Sequence, residues 1–154
     1  MSSLPVKPYP QKPPLTDEEL RTFLTEAHIA HLGSLNPDGT INIAALWFKY
    51  DDGDILFGTQ DITNKVRNIK RNPAVTVLID VEEPVLRGVL IYGQAQLDYE
   101  DVLAKRVAIF ERYMSSEDAR GLATTLASSW APVIIRVKPT RVSSYDYAKD
   151  GWLG

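Results

Sequence analysis

Residues 59–73 read Thr-Gln-Asp-Ile-Thr-Asn-Lys-Val-Arg-Asn-Ile-Lys-Arg-Asn-Pro, and the chemistry they suit is the holding of an anion. An apolar run at 55–59 leads in, hydroxyl, amide and lysine side chains open a helix, and Asn72-Pro73 stops it. A helix N-terminus presents unpaired N–H groups and a partial positive charge, both matched to a phosphate. Thr59 and Thr63 offer hydroxyl donors, and Lys65 in the first turn adds a full charge. The plainer reading of Lys65 is a solvated helix lysine. Arg67, Lys70 and Arg71 read as a solvated face whose C-terminal members complement the helix dipole.

The elements that must position these residues follow from patterning. Residues 1–15 hold five of the ten prolines and read as an extended tail, with one domain over 16–154. Thr16-Asp17-Glu18-Glu19 is a capping box, followed by Leu20, Phe23, Leu24 and Ala27 at helical spacing. Strands are expected at 28–35 and 40–50 around the turn Asn36-Pro37-Asp38-Gly39. Asp51-Asp52-Gly53-Asp54 then turns into a strand at 55–59. The anion-candidate helix spans 62–72 with Ile62, Val66 and Ile69 inward. Strands at 74–81 and 85–99 follow, the latter with a bulge at Gly93. Val102, Leu103, Val107, Phe110 and Met114 mark a helix over 99–114, and a second helix covers 116–128 despite Gly121. Strands at 132–138 and 140–147 flank Pro139. Hairpin-linked strands dominate, which predicts a mainly β fold with flanking helices, a six- to seven-stranded, largely antiparallel barrel.

The strand at 40–50 is apolar on both faces. Ile41, Ile43, Ala45 and Trp47 point one way, and Asn42, Ala44, Leu46 and Phe48 the other. One face fills a barrel; the other needs a cover, which a partner subunit, a flat ligand or the chain's own helices would supply. Small Ala44 and Ala45 would let a planar ring approach the backbone.

Composition narrows the chemistry. The 154 residues include no cysteine, which excludes zinc–thiolate sites, iron–sulfur clusters, disulfides and thiol nucleophiles. A net charge of −3 argues against general nucleic-acid binding. No apolar run is long enough to span a bilayer, so no membrane association is expected. The first residues lack the apolar centre of a signal peptide, so a cytoplasmic protein is expected. His28 and His31 lack a third metal ligand nearby, and Asp51, Asp52 and Asp54 are explained by a hairpin turn.

The ordered set of motifs resembles the flavin-binding split-barrel family, which includes pyridoxamine 5′-phosphate oxidase and the deazaflavin-dependent reductases. The resemblance covers about 16–147. It rests on Leu35-Asn36-Pro37-Asp38-Gly39, Ala45-Leu46-Trp47-Phe48, Asp54-Ile55-Leu56-Phe57-Gly58-Thr59 and Lys65-Val66-Arg67-Asn68-Ile69-x-x-Asn72-Pro73-x-Val75. Gly88-Val89-Leu90-Ile91-Tyr92-Gly93-Gln94-Ala95 and Val133-Ile134-Ile135-Arg136-Val137-x-Pro139-x-Arg141-Val142 complete it. The resemblance implies a split β-barrel homodimer that binds FMN, or deazaflavin coenzyme F-420, in an interface cleft. The positions matching the ring-facing strand are Asn42, Ala44, Ala45, Leu46 and Trp47. Those matching the phosphate segment are Gly58, Thr59, Thr63, Asn64 and Lys65.

The chain departs from the oxidases at Thr63-Asn64, where they carry Ser-Arg before the lysine, and in its ending Asp150-Gly151-Trp152-Leu153-Gly154. These departures argue against pyridoxamine phosphate oxidation itself. No catalytic triad, nucleophile elbow or dinucleotide fingerprint is present, as fits a protein whose cofactor carries the chemistry. The expectation is hydride transfer to or from a small-molecule substrate. A deazaflavin-dependent reductase and a non-catalytic flavin or haem binder are the alternatives.

Overall fold

The computed structural model describes residues 4–5 and 14–150. Helix α1 (Asp17–Thr25) starts on the expected capping box: the Glu19 amide donates to Thr16 Oγ1 at 3.2 Å and the Thr16 amide to Glu19 Oε1 at 2.9 Å. Its apolar stripe, Leu20, Phe23 and Leu24, is buried, while Ala27 lies past its end and is exposed.

Seven strands follow: β1 (Ile29–Leu35), β2 (Ile41–Trp47), β3 (Lys49–Asp51), β4 (Asp54–Gln60), β5 (Ala74–Val81), β6 (Arg87–Asp98) and β7 (Pro132–Asp146). Helix α2 (Asn64–Arg71) sits between β4 and β5; α3 (Val102–Phe110) and α4 (Ser116–Ala127) lie between β6 and β7. All ladders are antiparallel, in the order β2-β1-β5-β6-β7-β4-β3. The two edge strands, β2 and β3, are joined by the single residue Phe48, so the sheet must curl until its edges approach. No ladder closes β2 onto β4 among the described residues, and the result is a split barrel.

The expected strand at 40–50 is therefore two strands. The break at Phe48 is held by side chains. Its amide donates to Tyr113 Oη at 3.2 Å, its carbonyl accepts from Arg112, and its ring is buried under the Arg112 guanidinium. Conversely, the two strands expected around Pro139 are one. Pro139 sits beside a bulge, where proline is tolerated: Thr140 is the extra residue opposite Tyr92 and Gly93, and its Oγ1 donates to the Tyr92 carbonyl.

Two apolar clusters lie on either side of β4. Inside the barrel, Ile55 and Phe57 meet Val77, Ile91 and Val137, closed off by Phe23 and Leu24 of α1 and Val66 and Ile69 of α2. Outside it, Leu56 and Ile134 pack under Ile109 and Phe110 of α3 and Ala119 and Ala123 of α4. Leu15 is buried with the inner cluster, its amide bonded to Ser144 Oγ, and the Val142 amide donates to the Pro5 carbonyl at 2.7 Å.

Two helix details differ from expectation. Ile62 precedes α2 and is 50% exposed, because the turn at Asp61 bonds to the Ala131 carbonyl and delays the helix. The helix expected over 99–114 is shorter, and its buried phase is Val102, Arg106, Ile109 and Phe110, with Leu103 exposed. Gly121 sits within α4 facing solvent, where its cost is only propensity.

Candidate functional site

The split leaves a groove of about 280 Å³. From β2 it is lined by Ala45, Leu46 and Trp47 and from β4 by Gly58. Arg106, Ile109 and Phe110 come from α3, and Leu122 and Leu126 from α4. Trp47 is fixed by aromatic neighbours: it stacks on Tyr113 at 5.2 Å and meets the edge of Phe110 at 5.5 Å. Gly58 is required by close approach. A Cβ there would stand 3.0 Å from Arg106 Cγ and 3.2 Å from Nε.

Arg106 is the residue that sequence reasoning missed. It is 5% exposed; Nη1 donates to Gln60 Oε1 and, at 3.4 Å, to the Thr59 carbonyl. Its Nε is buried with no hydrogen-bond acceptor. No carboxylate pairs with it among the described residues, and burial lowers its pKa. The available signal was its spacing: Val102, Arg106 and Ile109 share one helical face, so an arginine stands in an otherwise apolar stripe.

Lys65 lies nearby in charge space. Burial and then the Arg106 charge lower its pKa, and no anionic side chain pairs with it among the described residues. It occupies the first turn of α2, before the first helical bond (Arg67 amide to Thr63 carbonyl, 3.1 Å). Thr63 is the N-cap residue but makes no side-chain cap; its Oγ1 donates instead to the Gln60 carbonyl at 3.0 Å. The helix start thus keeps free amides and carries no acidic residue in its first turn.

The expected site residues divide. Ala45, Leu46, Trp47 and Gly58 share the groove; Lys65 does not line it, and its link to the groove is the Arg106 charge that adds to burial in lowering its pKa. Thr59 is buried, on the parity of Ile55 and Phe57 that faces the barrel interior, and only its carbonyl contacts Arg106. Asn42 and Ala44 are half-buried at alternate positions of β2, off the groove wall. Asn64 is exposed and lines a separate cleft beside Asp38 and Arg67. Asn68 ties helix to sheet: its Nδ2 donates to Ser34 Oγ at 3.0 Å and to Asn36 Oδ1 at 2.9 Å. Asn72 caps the end of α2. Arg136 is committed to Asp51 and Asp54.

On the outer face of β1, β2 and β5, Ile41 and Ile43 are 64% and 69% exposed. They border an open apolar groove of about 580 Å³ together with His31, Leu78 and Asp80. His28 stacks on Phe23 and pairs with Glu26 at 3.1 Å, away from His31. Among the described residues no group of three or more His, Asp or Glu gathers to hold a metal.

A curled, split antiparallel barrel with α3 and α4 covering its outer wall defines the class of flavin-binding split barrels. The pyridoxamine 5′-phosphate oxidase family model matches residues 16–146, and the chain belongs to that family. A conserved hypothetical protein of Mycobacterium tuberculosis, Rv2991, superimposes with a TM-score of 0.79 at 26% identity, covering 94% of this chain and 92% of that one. An F-420 reductase matches with a TM-score of 0.65 and 26% identity, over 80% of this chain and 94% of that one. HutZ, the haem storage protein of Vibrio cholerae, shares the fold at 16% identity and a TM-score of 0.65, over 81% of this chain and 91% of that one. No curated protein sequence matches the chain. No helix of the described residues is long and apolar enough to cross a membrane.

Proposed function

We propose that this protein is an oxidoreductase that holds FMN in the groove between β2 and β4 and exchanges hydride with a small molecule. The observation that carries this reading is the groove itself. It has an apolar wall at Ala45, Leu46 and Trp47 and an opening at Gly58 where any side chain would meet Arg106, and the half-buried Lys65, without an anionic partner among the described residues, has its pKa lowered by burial and then by the Arg106 charge. These residues fit a flat ring with an anionic tail. Leu46 and Trp47 would pack the ring, Gly58 would admit it, and Lys65 with the free amides of α2 would take the phosphate. A bound flavin would supply the electron-pair chemistry. The chain's own contribution is to orient the ring and exclude water with Ile109, Phe110, Leu122 and Leu126.

The groove is small for a whole flavin, and the exposed Ile41 and Ile43 face needs a cover. Both features support a homodimer whose second subunit completes the cleft. A cytoplasmic location goes with this reading. Similarity to an F-420 reductase at 26% identity supports coenzyme F-420 as the second reading. Its polyanionic tail would need cations beyond Lys65. Among the described residues, Arg67 is the further cation of α2 without a side-chain partner, since Lys70 pairs with Asp61 at 3.4 Å and Arg71 bonds Asn68 and the Leu35 carbonyl. A haem role has less support, because among the described residues no His, Met or Tyr lines the groove.

Fluorescence titration with FMN and, separately, coenzyme F-420 tests the reading. One cofactor is expected to bind, with Lys65→Ala weakening it at least tenfold. Failure of both to bind the wild-type protein would overturn the proposal.

A further inference from the structure

We propose that Arg106 is a second anion-binding residue of the groove, its guanidinium joining the Lys65 ammonium on one phosphate of the ligand. This rests on the reading that the groove takes a phosphate-bearing ligand, and it assigns that role to a residue on a different element, α3.

Three observations carry it. First, Arg106 is buried at 5% exposure, yet no carboxylate pairs with it among the described residues; its Nη1 partners, Gln60 Oε1 and the Thr59 carbonyl, are neutral. A buried charge without a counter-charge is costly, and a fold that keeps one gains when an anion arrives. Second, Nε has neither solvent nor an acceptor, although the side chain forms part of the groove wall. A guanidinium offers donors in a fixed fork, and a phosphate presents several oxygens to it. Third, Gln60 ties Arg106 to the start of α2, its Oε1 accepting from Arg106 and its carbonyl from Thr63 Oγ1; Lys65 follows in the first turn with no acidic residue there, and the Arg106 charge adds to burial in lowering its pKa. One anion between them converts the repulsion into two attractions.

The fork is held ready by its surroundings. Gln60 Nε2 donates to the Leu126 carbonyl at 2.7 Å, so the Gln60 carboxamide ties Arg106 to the end of α4. The Phe110 ring lies 5.6 Å from the guanidinium carbon. Gly58 leaves room for the stem. A purely structural arginine would serve as a link between β4 and α4 and would not care whether the ligand carries a phosphate.

The test compares FMN with riboflavin, which has the same ring and no phosphate, on wild-type protein, Arg106→Met and Arg106→Lys. Wild-type protein is expected to prefer FMN at least tenfold. Arg106→Met should lose that preference, FMN weakening more than riboflavin, and Arg106→Lys should retain part of it. Equal weakening of both ligands, or no change in either, would overturn the role. If Arg106→Met does not fold by circular dichroism, Arg106→Lys decides: a several-fold loss confined to FMN supports the role and an unchanged FMN-to-riboflavin ratio refutes it. If wild-type protein binds neither flavin, the flavin reading fails on its own, and inorganic pyrophosphate takes over as the probe. A thermal shift with pyrophosphate in wild-type protein that Arg106→Lys diminishes keeps the anion site; absence of a shift removes it. A 13C-labelled lysine titration gives an independent readout, with Lys65 expected to titrate higher in Arg106→Met and higher again with the anion bound.

Discussion

Tyr113 stacks on Trp47 with ring centroids 5.2 Å apart and planes 20° from parallel, while its hydroxyl donates to the His28 carbonyl at 2.6 Å and accepts from the Phe48 amide. One side chain thus joins the entry to β1, the break between β2 and β3, and the tryptophan that walls the groove. Burial raises the Tyr113 phenol pKa, which keeps it a donor at neutral pH. Tyr113→Phe keeps the stack and loses both hydroxyl bonds. The expected cost is roughly 1–3 kcal/mol in urea denaturation, since a part-buried carbonyl and amide lose their partner. Tyr113→Ala should also loosen Trp47 and weaken cofactor binding further than Tyr113→Phe does.

Gly58→Val should act through Arg106. The added Cβ would stand 3.0 Å from Arg106 Cγ, a stem atom that cannot swing aside without moving the guanidinium. Overpacking of this kind costs roughly 1–3 kcal/mol. We expect a folded protein whose cofactor affinity falls at least tenfold by fluorescence titration. Unchanged affinity would place the ligand elsewhere.

Ile43→Glu probes the exposed face. Ile43 is 69% exposed, so the substitution removes no intrachain packing of consequence. Sedimentation should give a dimer for the wild-type chain of 17.2 kDa and a monomer for the variant, with unchanged circular dichroism. A wild-type monomer would refute the dimer.

Asn68→Leu tests the network under α2. Asn68 is 3% exposed and satisfies Ser34, Asn36 and Arg71. Its loss strands the Ser34 hydroxyl and takes one partner from Arg71, which keeps the Leu35 carbonyl, at a cost of roughly 1–3 kcal/mol. Melting in the absence of cofactor measures this without reference to function.

Glu19 sets an acid-range dependence. Its hydrogen bond from Lys149, then that from the Thr16 amide, lowers its pKa from 4.5 to about 2. A depressed folded pKa contributes stability that is present above 4.5 and lost as pH falls toward about 2. Glu19→Gln keeps an acceptor for the Thr16 amide and loses the charge paired with Lys149, so it should be less stable than wild type at pH 7 by roughly 0.2–1 kcal/mol. The gap should close by about pH 2; a gap that persists there would show that packing, not charge, is responsible.

Local chemistry was legible in the sequence. The Thr16 capping box begins α1, the Asp52-Gly53 pair takes positive φ of 46° and 93° at a hairpin, and Ala74–Val81 is the strand its β-branched residues require. Turns and caps are decided by residues three or four apart, so a linear reading reaches them. The barrel was legible in the hairpin-linked strand order and its split in the family resemblance, but the break at Phe48 was not legible at all. That break depends on Arg112 and Tyr113, more than sixty positions away in the chain. The same limit hid Arg106, whose partners Thr59 and Gln60 lie 47 and 46 residues before it. It also divided the expected site: Ala45, Leu46, Trp47 and Gly58 came together, while strand parity buried Thr59 and helix phase turned Asn64 outward. Alternation shows that two faces exist, but only the packing of α3 against β4 determines which one becomes the groove wall.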